Sequence, residues 1–318
     1  MSKILLTGGA GFIGSHTTSA LLARGDEVVV LDDFNDFYDP RIKRNNVVPF
    51  LDQPSYQLVE GDIRDRDLVR RLYREHGFDS TIHLAARAGV RPSLKEPVLY
   101  EEVNCIATLH LLEAARDFEV QNFVFGSSSS VYGINKKVPF SEDDEINHPI
   151  SPYATTKRTG ELLCFNYHHL YNLKTSCLRF FTVYGPAQRP EMAIHLFTRK
   201  IAAGETISMF GSGDSQRDYT YVDDIVAGLI AAHDLAPDFE IFNLGGAETT
   251  RLAELVSWIA DDLGVEAKID RQPDQPGDVP ITYADVGKAR SMLGYNPQVP
   301  IREGISRFVG WFRDHLGS

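Results

Sequence analysis

The stretch that most constrains this chain is Thr7-Gly8-Gly9-Ala10-Gly11-Phe12-Ile13-Gly14. It lies between an apolar strand pattern at Lys3–Thr7 and a helical pattern continuing to Arg24. Gly25-Asp26 closes that helix, and a second apolar strand, Glu27–Leu31, runs up to Asp32. Strand, glycine turn, helix and strand in this order open an α/β fold with a dinucleotide-type turn after its first strand. Gly8, Gly11 and Gly14 permit a tight turn and a close approach of backbone to a pyrophosphate. The helix start, at Phe12 and Ile13, adds N–H donors and a partial positive charge. Asp32 stands eighteen residues after Gly14, placed to accept hydrogen bonds from an adenosine ribose. A carboxylate there repels a 2′-phosphate, so NAD is expected over NADP.

The alternation continues. Tyr56–Glu60 reads as a strand followed by Gly61-Asp62-Ile63, and Asp65–His76 as a helix. Thr81–Leu84 reads as a strand whose exit, Leu84-Ala85-Ala86, is small enough for cofactor phosphates and the nicotinamide ribose to lie close. Lys95–Phe118 reads as one long helical segment, Phe123–Phe125 as a buried strand ending in Gly126-Ser127-Ser128-Ser129-Ser130, and Lys174–Phe180 as a sixth strand. This spacing implies a doubly wound parallel sheet of Rossmann type, with ligands at the carboxyl ends of its strands. Beyond Arg179 the elements shorten. Arg189-Pro190 leads a helix, Thr206–Phe210 is a strand, Asp223–Asp234 a helix, and Glu240–Leu244 a strand returning to the first sheet. Helix Leu252–Leu263, a Pro-rich loop at 273–280 and terminal helices follow. The expected division is a dinucleotide domain, 1–178 with a returning segment near 219–247, and a smaller mixed α/β substrate domain from 179–218 and 248–318. No flexible linker intervenes, so both parts should face one cleft.

Ser151-Pro152-Tyr153-Ala154-Thr155-Thr156-Lys157 adds chemistry to that frame. Ser151 reads as a helix N-cap and Pro152 as the first helical residue, where a missing N–H costs nothing. Tyr153 and Lys157 then share a helix face one turn apart. A cation beside a phenol favours the phenolate, so the pair can make an oxygen base. A second Tyr-x-x-x-Lys, Tyr132…Lys136, spans Gly133 and Asn135, which read as a turn and separate its members.

The glycine spacing, three-and-three, together with the Tyr153/Lys157 pair resembles the extended short-chain dehydrogenase/reductase superfamily. The resemblance extends over nearly the whole chain and is closest to its nucleotide-sugar epimerases and dehydratases. It includes Arg179-Phe180-Phe181-Thr182-Val183-Tyr184-Gly185-Pro186 and Arg217-Asp218-Tyr219-Thr220-Tyr221-Val222-Asp223-Asp224. Ala88-Gly89-Val90-Arg91 and Arg189-Pro190-Glu191-Met192-Ala193 resemble the UDP-glucuronate 4-epimerase group in particular. The resemblance implies NAD-dependent epimerisation at carbon 4 of a UDP-sugar through a transient 4-keto sugar, UDP-glucuronate to UDP-galacturonate. Tyr153, Lys157 and Ser128 would be catalytic. Asp62 and Ile63 would border the adenine, and Asn104 would lie near the active site. Arg217, Arg91 and Asp278 would bind substrate. Ser129 and Ser130 stand where 4,6-dehydratases carry an Asp-Glu pair, and decarboxylating relatives carry Glu at the place of Ser130; both chemistries are therefore disfavoured. Thr182, with Ser129, Ser130 and Arg189, could receive a sugar carboxylate, although Thr182 could equally be packing.

Two other readings stand beside this one. A UDP-glucose/UDP-galactose 4-epimerase would share the fold, and a non-catalytic NAD-sensing module would share the cofactor site. A net charge of −12 argues against nucleic acid or an anionic membrane as partner. Cys105, Cys164 and Cys177 have neither metal-ligand nor disulfide spacing, so no metal is expected and a reducing cytoplasm is. The start runs into a strand without a leader-like apolar region, and no run is long enough to span a bilayer. A homodimer is implied through Lys95–Phe118 and Pro152–Tyr171, whose stripes include Leu109, Leu112, Leu162 and Leu163; the same stripes also fit core faces against the sheet.

Overall fold

The computed structural model describes residues 1–273 and 280–316. Six apolar runs form β1 (Lys3–Thr7), β2 (Glu27–Asp32), β3 (Tyr56–Glu60), β4 (Ser80–His83), β5 (Asn122–Ser128) and β6 (Lys174–Phe180). With Phe239–Leu244 they make a seven-stranded sheet in the order 239–244, β6, β5, β4, β1, β2, β3. Every pairing is parallel. The chain winds outward from β1 to β3, then crosses to β4 on the other side of β1 and continues outward to β6. Helices diverge where the winding reverses, leaving a crevice outside the carboxyl ends of β1 and β4. Thr7 and His83 are register partners at its floor.

Both faces of the sheet are covered, which is why its strands are nearly continuous apolar runs. Ile4, Leu6, Val28, Val30 and Ile82 enter one core with Leu21 of α1 (Phe12–Arg24) and Ile225 and Leu229 of the Val222–Leu235 helix. Leu5, Val29, Leu31, Phe123 and Phe125 enter the other, with Leu72 of Arg66–His76, Leu111 of Ala107–Asp117 and Cys164 of Pro152–Tyr171. Alternate residues of each strand thus serve opposite layers. Each Leu, Ile or Phe shut away from water here contributes about 1.5–3 kcal/mol.

The Pro152–Tyr171 helix begins as its sequence dictates. Ser151 Oγ accepts from the Ala154 N–H at 3.1 Å, and Pro152 takes the first helical position. Gly160 lets this helix lie directly on β5: a Cβ there would stand 2.2 Å from Phe125 Cζ. Any larger residue would lift the helix off the sheet. Lys157, one turn earlier, reaches the Gly126 carbonyl at 2.7 Å because of that closeness.

After β6 the chain builds small pieces beside the crevice. Thr182–Tyr184 pairs with Tyr219–Tyr221, Thr206–Phe210 with Lys268–Gln272, and Gln216–Arg217 with Thr250–Arg251. Helices Ala193–Ala202, Leu252–Leu263 and Ile301–Leu316 pack around them through Ile201, Ile207, Ile259 and Phe308.

Four expectations are corrected. Lys95–Phe118 is not one helix: Val90–Ser93 is a single turn, Pro97–Glu101 a short helix, Glu102–Ile106 a π-helical turn and Ala107–Asp117 a regular helix. Pro97 occupies a helix start, where its missing N–H is harmless, rather than an interior. Pro40–Val47 is an additional helix, started by Asp39, whose carboxylate accepts from the Arg41 N–H at 3.0 Å. Arg189 and Pro190 do not lead a helix; they lie in the loop before Ala193–Ala202. Leu112 is fully buried in the sheet core, and Leu109 and Leu163 pack against it, so of those four leucines only Leu162 is exposed.

Candidate active site

The crevice holds a cavity of about 730 Å³. One half is built by β1, β2 and their connections. Gly8, Gly11, Phe12, Ile13 and Gly14 line it, with Gly11 as the N-cap of α1. The first N–H groups of α1 have no intrahelical acceptor, and Gly11 offers no side-chain cap. A Cβ on Gly14 would stand 2.1 Å from the Gly8 carbonyl oxygen, so the cradle between turn and helix exists only with glycine there. Asp32, 6% exposed, ends β2 at the rim. Its carboxylate accepts from the Phe34 N–H at 3.0 Å and the Ala10 N–H at 3.2 Å. Burial raises its pKa, and the Lys43 ammonium opposes that rise. Asp62 and Ile63 border the cavity, as do Leu84, Ala85 and Ala86. Asp62 also holds Arg64 at 2.6 Å. The donor-rich helix start, the carboxylate beyond it and the small residues between them fit an NAD molecule.

Asn104 does not itself line the cavity. It is 3% exposed and sits in the π-helical turn behind the wall. Its Oδ1 accepts from the Arg87 N–H at 2.8 Å, while its Nδ2 donates to the Arg87 carbonyl at 2.9 Å and to Thr156 Oγ1 at 3.0 Å. With its hydrogen-bonding capacity spent on protein groups, it clamps the Arg87 backbone to the Pro152–Tyr171 helix.

Ser128, Tyr153 and Lys157 line the cavity together. Burial raises the Tyr153 pKa; a hydrogen bond from Ser128 and the charge of Arg189 pull it back. Lys157 is lowered to about 8, first by burial, with Cys105 and Glu161 opposing. Its Nζ is 5.9 Å from the Tyr153 ring centroid, and the charge of Arg189 also acts on the phenol. Behind the pair lies a buried network. Glu161 accepts from Arg179 Nε and Nη2 at 2.9 and 3.0 Å, from Ser127 Oγ at 2.6 Å and from Arg158 Nη1 at 3.0 Å. Arg179 Nη1 donates to Tyr132 OH at 3.0 Å, which donates to Asn243 Oδ1 at 2.6 Å. This network ties the turn after Lys157 to the residue before Ser128. Below the floor, His83 lies between the hydroxyls of Thr7 and Thr108, at 2.7 and 2.8 Å. Burial, then the Lys157 charge, lowers it to about 3, so it is neutral.

The remaining expected residues surround the other half. Ser129, Ser130, Thr182, Arg189, Arg91 and Arg217 all line the cavity. Ser130 Oγ is buried without a hydrogen-bond partner among the described residues. The Arg91 guanidinium lies 5.6 Å from the Phe210 ring centroid and thereby joins the two sides of the crevice. Asp278 falls outside the described residues. Among the cavity residues that went unforeseen are Phe37, Tyr38 and Lys43. The ring of Phe37 has Arg87 at 5.9 Å and Arg189 at 5.7 Å. The only sequence signal for this segment was the Asp39-Pro40 helix start, which gives no hint of what the helix faces.

A doubly wound parallel sheet with a glycine cradle, and a buried tyrosine, lysine and serine at its switch point, defines a short-chain dehydrogenase-type active site. The chain belongs to the GDP-mannose 4,6 dehydratase family, whose model matches residues 5–308, and is an extended member of that superfamily. It is 42% identical to UDP-glucuronate 4-epimerase 4 of Arabidopsis thaliana, over 97% of this chain and 75% of that protein. The UDP-glucuronic acid 4-epimerase of Bacillus cereus, solved with UDP-glucuronic acid and NAD, is 35% identical with a TM-score of 0.93, covering 98% of this chain and 99% of that one. The UDP-glucose 4-epimerase of Thermotoga maritima, solved with UDP-glucose, is 34% identical with a TM-score of 0.90, covering 99% of each chain.

Proposed function

We propose that this chain is an NAD-dependent 4-epimerase that interconverts UDP-glucuronate and UDP-galacturonate. The observation that carries the acidic-sugar reading is the composition of the wall opposite the cofactor cradle. Ser129, Ser130, Thr182 and Arg189 line it, three hydroxyls and a guanidinium whose own ion-pair partner, Glu191, lies 3.1 Å away. Hydroxyls and a guanidinium are suited to bind a carboxylate. The family description names a 4,6-dehydratase, but Ser129 and Ser130 cannot supply the acid and base that elimination of water requires.

When bound, NAD supplies an acceptor for hydride from carbon 4 and a positive charge beside the sugar. Tyr153 Oη takes the proton of the sugar 4-hydroxyl, and Ser128 Oγ hydrogen-bonds the same oxygen and relays that proton. Arg189 and Ser128 favour the phenolate that burial opposes. Lys157, charged at neutral pH and fixed on the Gly126 carbonyl, holds a donor toward the cofactor ribose. Arg217 and Arg91 take the UDP phosphates. The 4-keto sugar turns over in the cleft and is reduced on its other face. The division of labour is a dinucleotide domain, 1–178 with 219–247, and a sugar-nucleotide domain, 179–218 with 248–318. The test is NMR of UDP-glucuronate incubated with purified protein and no added cofactor. UDP-galacturonate should appear, and an unchanged spectrum would reject the assignment. Faster turnover of UDP-glucose in a parallel sample would instead favour the neutral-sugar reading, which the similarity to the Thermotoga maritima enzyme also supports.

Among the described residues, no helix is long and apolar enough to cross a membrane. A cytoplasmic protein fits the three unpaired, buried cysteines. A homodimer through the Pro97–Asp117 and Pro152–Tyr171 segments is supported by exposed Val98 (69%), Ile106 (51%), Leu162 (48%) and Phe165 (46%). Sedimentation as a monomer at micromolar concentration would contradict it.

A further inference from the structure

The Pro40–Val47 helix carries a lysine that none of the chemistry above uses. Lys43 and Val47, four apart, form its inner face and are its buried residues. Val47 packs with Ala10 and Phe34, so the helix is pinned over the glycine turn at one side and over the end of β2 at the other. The Lys43 side chain is only 7% exposed, yet it borders the cofactor half of the cavity. Its Nζ lies 3.7 Å from Asp32 Oδ1 and 3.9 Å from Asp33 Oδ1, ion-pair distances rather than hydrogen bonds. On its other side is the Tyr38 ring, 5.3 Å to the centroid. Among the described residues no acceptor lies within hydrogen-bonding distance of it. An ammonium carries three donors, and burying one without acceptors is costly. This one lies at ion-pair distance from two carboxylates, and its donors are left for whatever enters the cleft beside Asp32.

We propose that Lys43 is a cofactor-binding residue that forms, with Asp32, a two-sign clamp on the adenosine ribose and sets the selectivity against a 2′-phosphate. The inference rests on the NAD reading of this cleft. Asp32 accepts from a ribose hydroxyl, and Lys43 donates to a ribose oxygen on the same side. The charges at this spot are two carboxylates, Asp32 and Asp33, against one ammonium. With Asp32 in place a 2′-phosphate meets net negative charge and is refused. Without Asp32 the ammonium balances Asp33 and presents its donors to the phosphate. Selectivity therefore belongs to the pair: Asp32 excludes, and Lys43 determines what the site accepts once that exclusion is lifted. The sequence pattern of a carboxylate ending the second strand reports only the first half.

The test is equilibrium binding of NADH and NADPH to cofactor-stripped protein, followed by the fluorescence of the reduced nicotinamide. Lys43→Met should weaken NADH binding about tenfold, the loss expected for a charge-assisted hydrogen bond, while Lys43→Arg retains most of it. Asp32→Ser should strengthen NADPH binding at least tenfold over the parent, and adding Lys43→Met should abolish that gain. Unchanged NADH affinity in Lys43→Met, or tight NADPH binding by the double variant, overturns the proposal. Lys43→Gln, which keeps one donor without charge, stands in if the methionine variant does not fold, and unchanged NADH affinity there also overturns it. A parent protein that binds neither nucleotide would instead remove the cofactor assignment on which the inference depends.

Discussion

Replacing Arg179 by methionine measures what the ion pair behind the catalytic helix contributes. Arg179 and Glu161 are each 1% exposed, so the change leaves a carboxylate in the core rather than in water. The variant loses two of the four hydrogen bonds that Glu161 accepts, those from Nε and Nη2, and keeps those from Ser127 and Arg158. Tyr132 also loses a donor. Breaking a buried pair by removing one partner costs about 3–5 kcal/mol, and the surviving partners place this case near the lower end, about 3 kcal/mol. Unfolding entropy of about 2.1 cal/mol/K per residue comes to about 0.7 kcal/mol/K for this chain, so the thermal midpoint should fall by about 4 °C. Arg179→Met combined with Glu161→Gln removes both charges and should cost less than the two single changes added together. Calorimetry at saturating NAD keeps the cofactor's own stabilisation common to all samples. A midpoint within about 1 °C of the parent for Arg179→Met would refute the reasoning. So would a double variant that melts at the additive position.

Three further outcomes are expected. Tyr153→Phe should lower kcat at least 10²–10⁴-fold while NAD stays bound to the purified protein, and near-normal turnover would remove Tyr153 from the mechanism. Thr182→Val should release more 4-keto-pentose per UDP-galacturonate formed, because a 4-keto uronate is a β-keto acid whose carboxylate must be held out of alignment with the ketone. A hydrogen bond to that carboxylate is worth about 1.5–3 kcal/mol, so the product ratio should move by tenfold or more; an unchanged ratio makes Thr182 a packing residue. His83 has a folded pKa of about 3, below its ordinary 6.5. The unfolded chain therefore binds the extra proton first, and the stability tied to this histidine is present above about pH 6.5 and lost as pH falls toward 3. His83→Gln should flatten the acid limb of a stability-against-pH curve by up to about 1.4 kcal/mol per pH unit within that window, and curves of equal slope would count against a neutral, buried His83.

Most of what positions the site was legible because it is written in local rules. The bounds of β1, β3, Thr206–Phe210 and Leu252–Leu263 follow from patterned runs closed by glycine, and the start of Pro152–Tyr171 from a serine cap and a proline. What stayed hidden depends on which neighbour a face meets. Periodicity makes Leu112 an apolar stripe residue but cannot say that the stripe lies on the sheet. It also passes over the breaks within Lys95–Phe118, because the residues around Pro97 and Asn104 keep a helical composition while the backbone changes its hydrogen-bond partner. Asn104 reads as a cleft residue because it is polar in an apolar element, yet its partners are backbone groups of Arg87, fixed only by tertiary packing. Lys43 was missed for a related reason: a lysine on a short polar helix reads as a solvated residue, and its burial beside Asp32 and the Tyr38 ring is set by tertiary packing.

The π-helical turn at Glu102–Ile106 has a consequence for how this chain can change over generations. Such a turn holds one residue more than an α turn, so the helix after it is offset by about 100° from the helix before it. Losing a single residue there would restore a regular helix and also swing one half against the other. Either Asn104 would be pulled away from Arg87 and Thr156, or Leu111 and Leu112 would be turned out of the sheet. A gain of that residue could be tolerated in an ancestor whose cleft wall was still unclamped. Its loss in a descendant that uses the clamp could not. Across lineages, this position should be gained once and then retained, making it a one-way marker of descent rather than a site where insertions come and go.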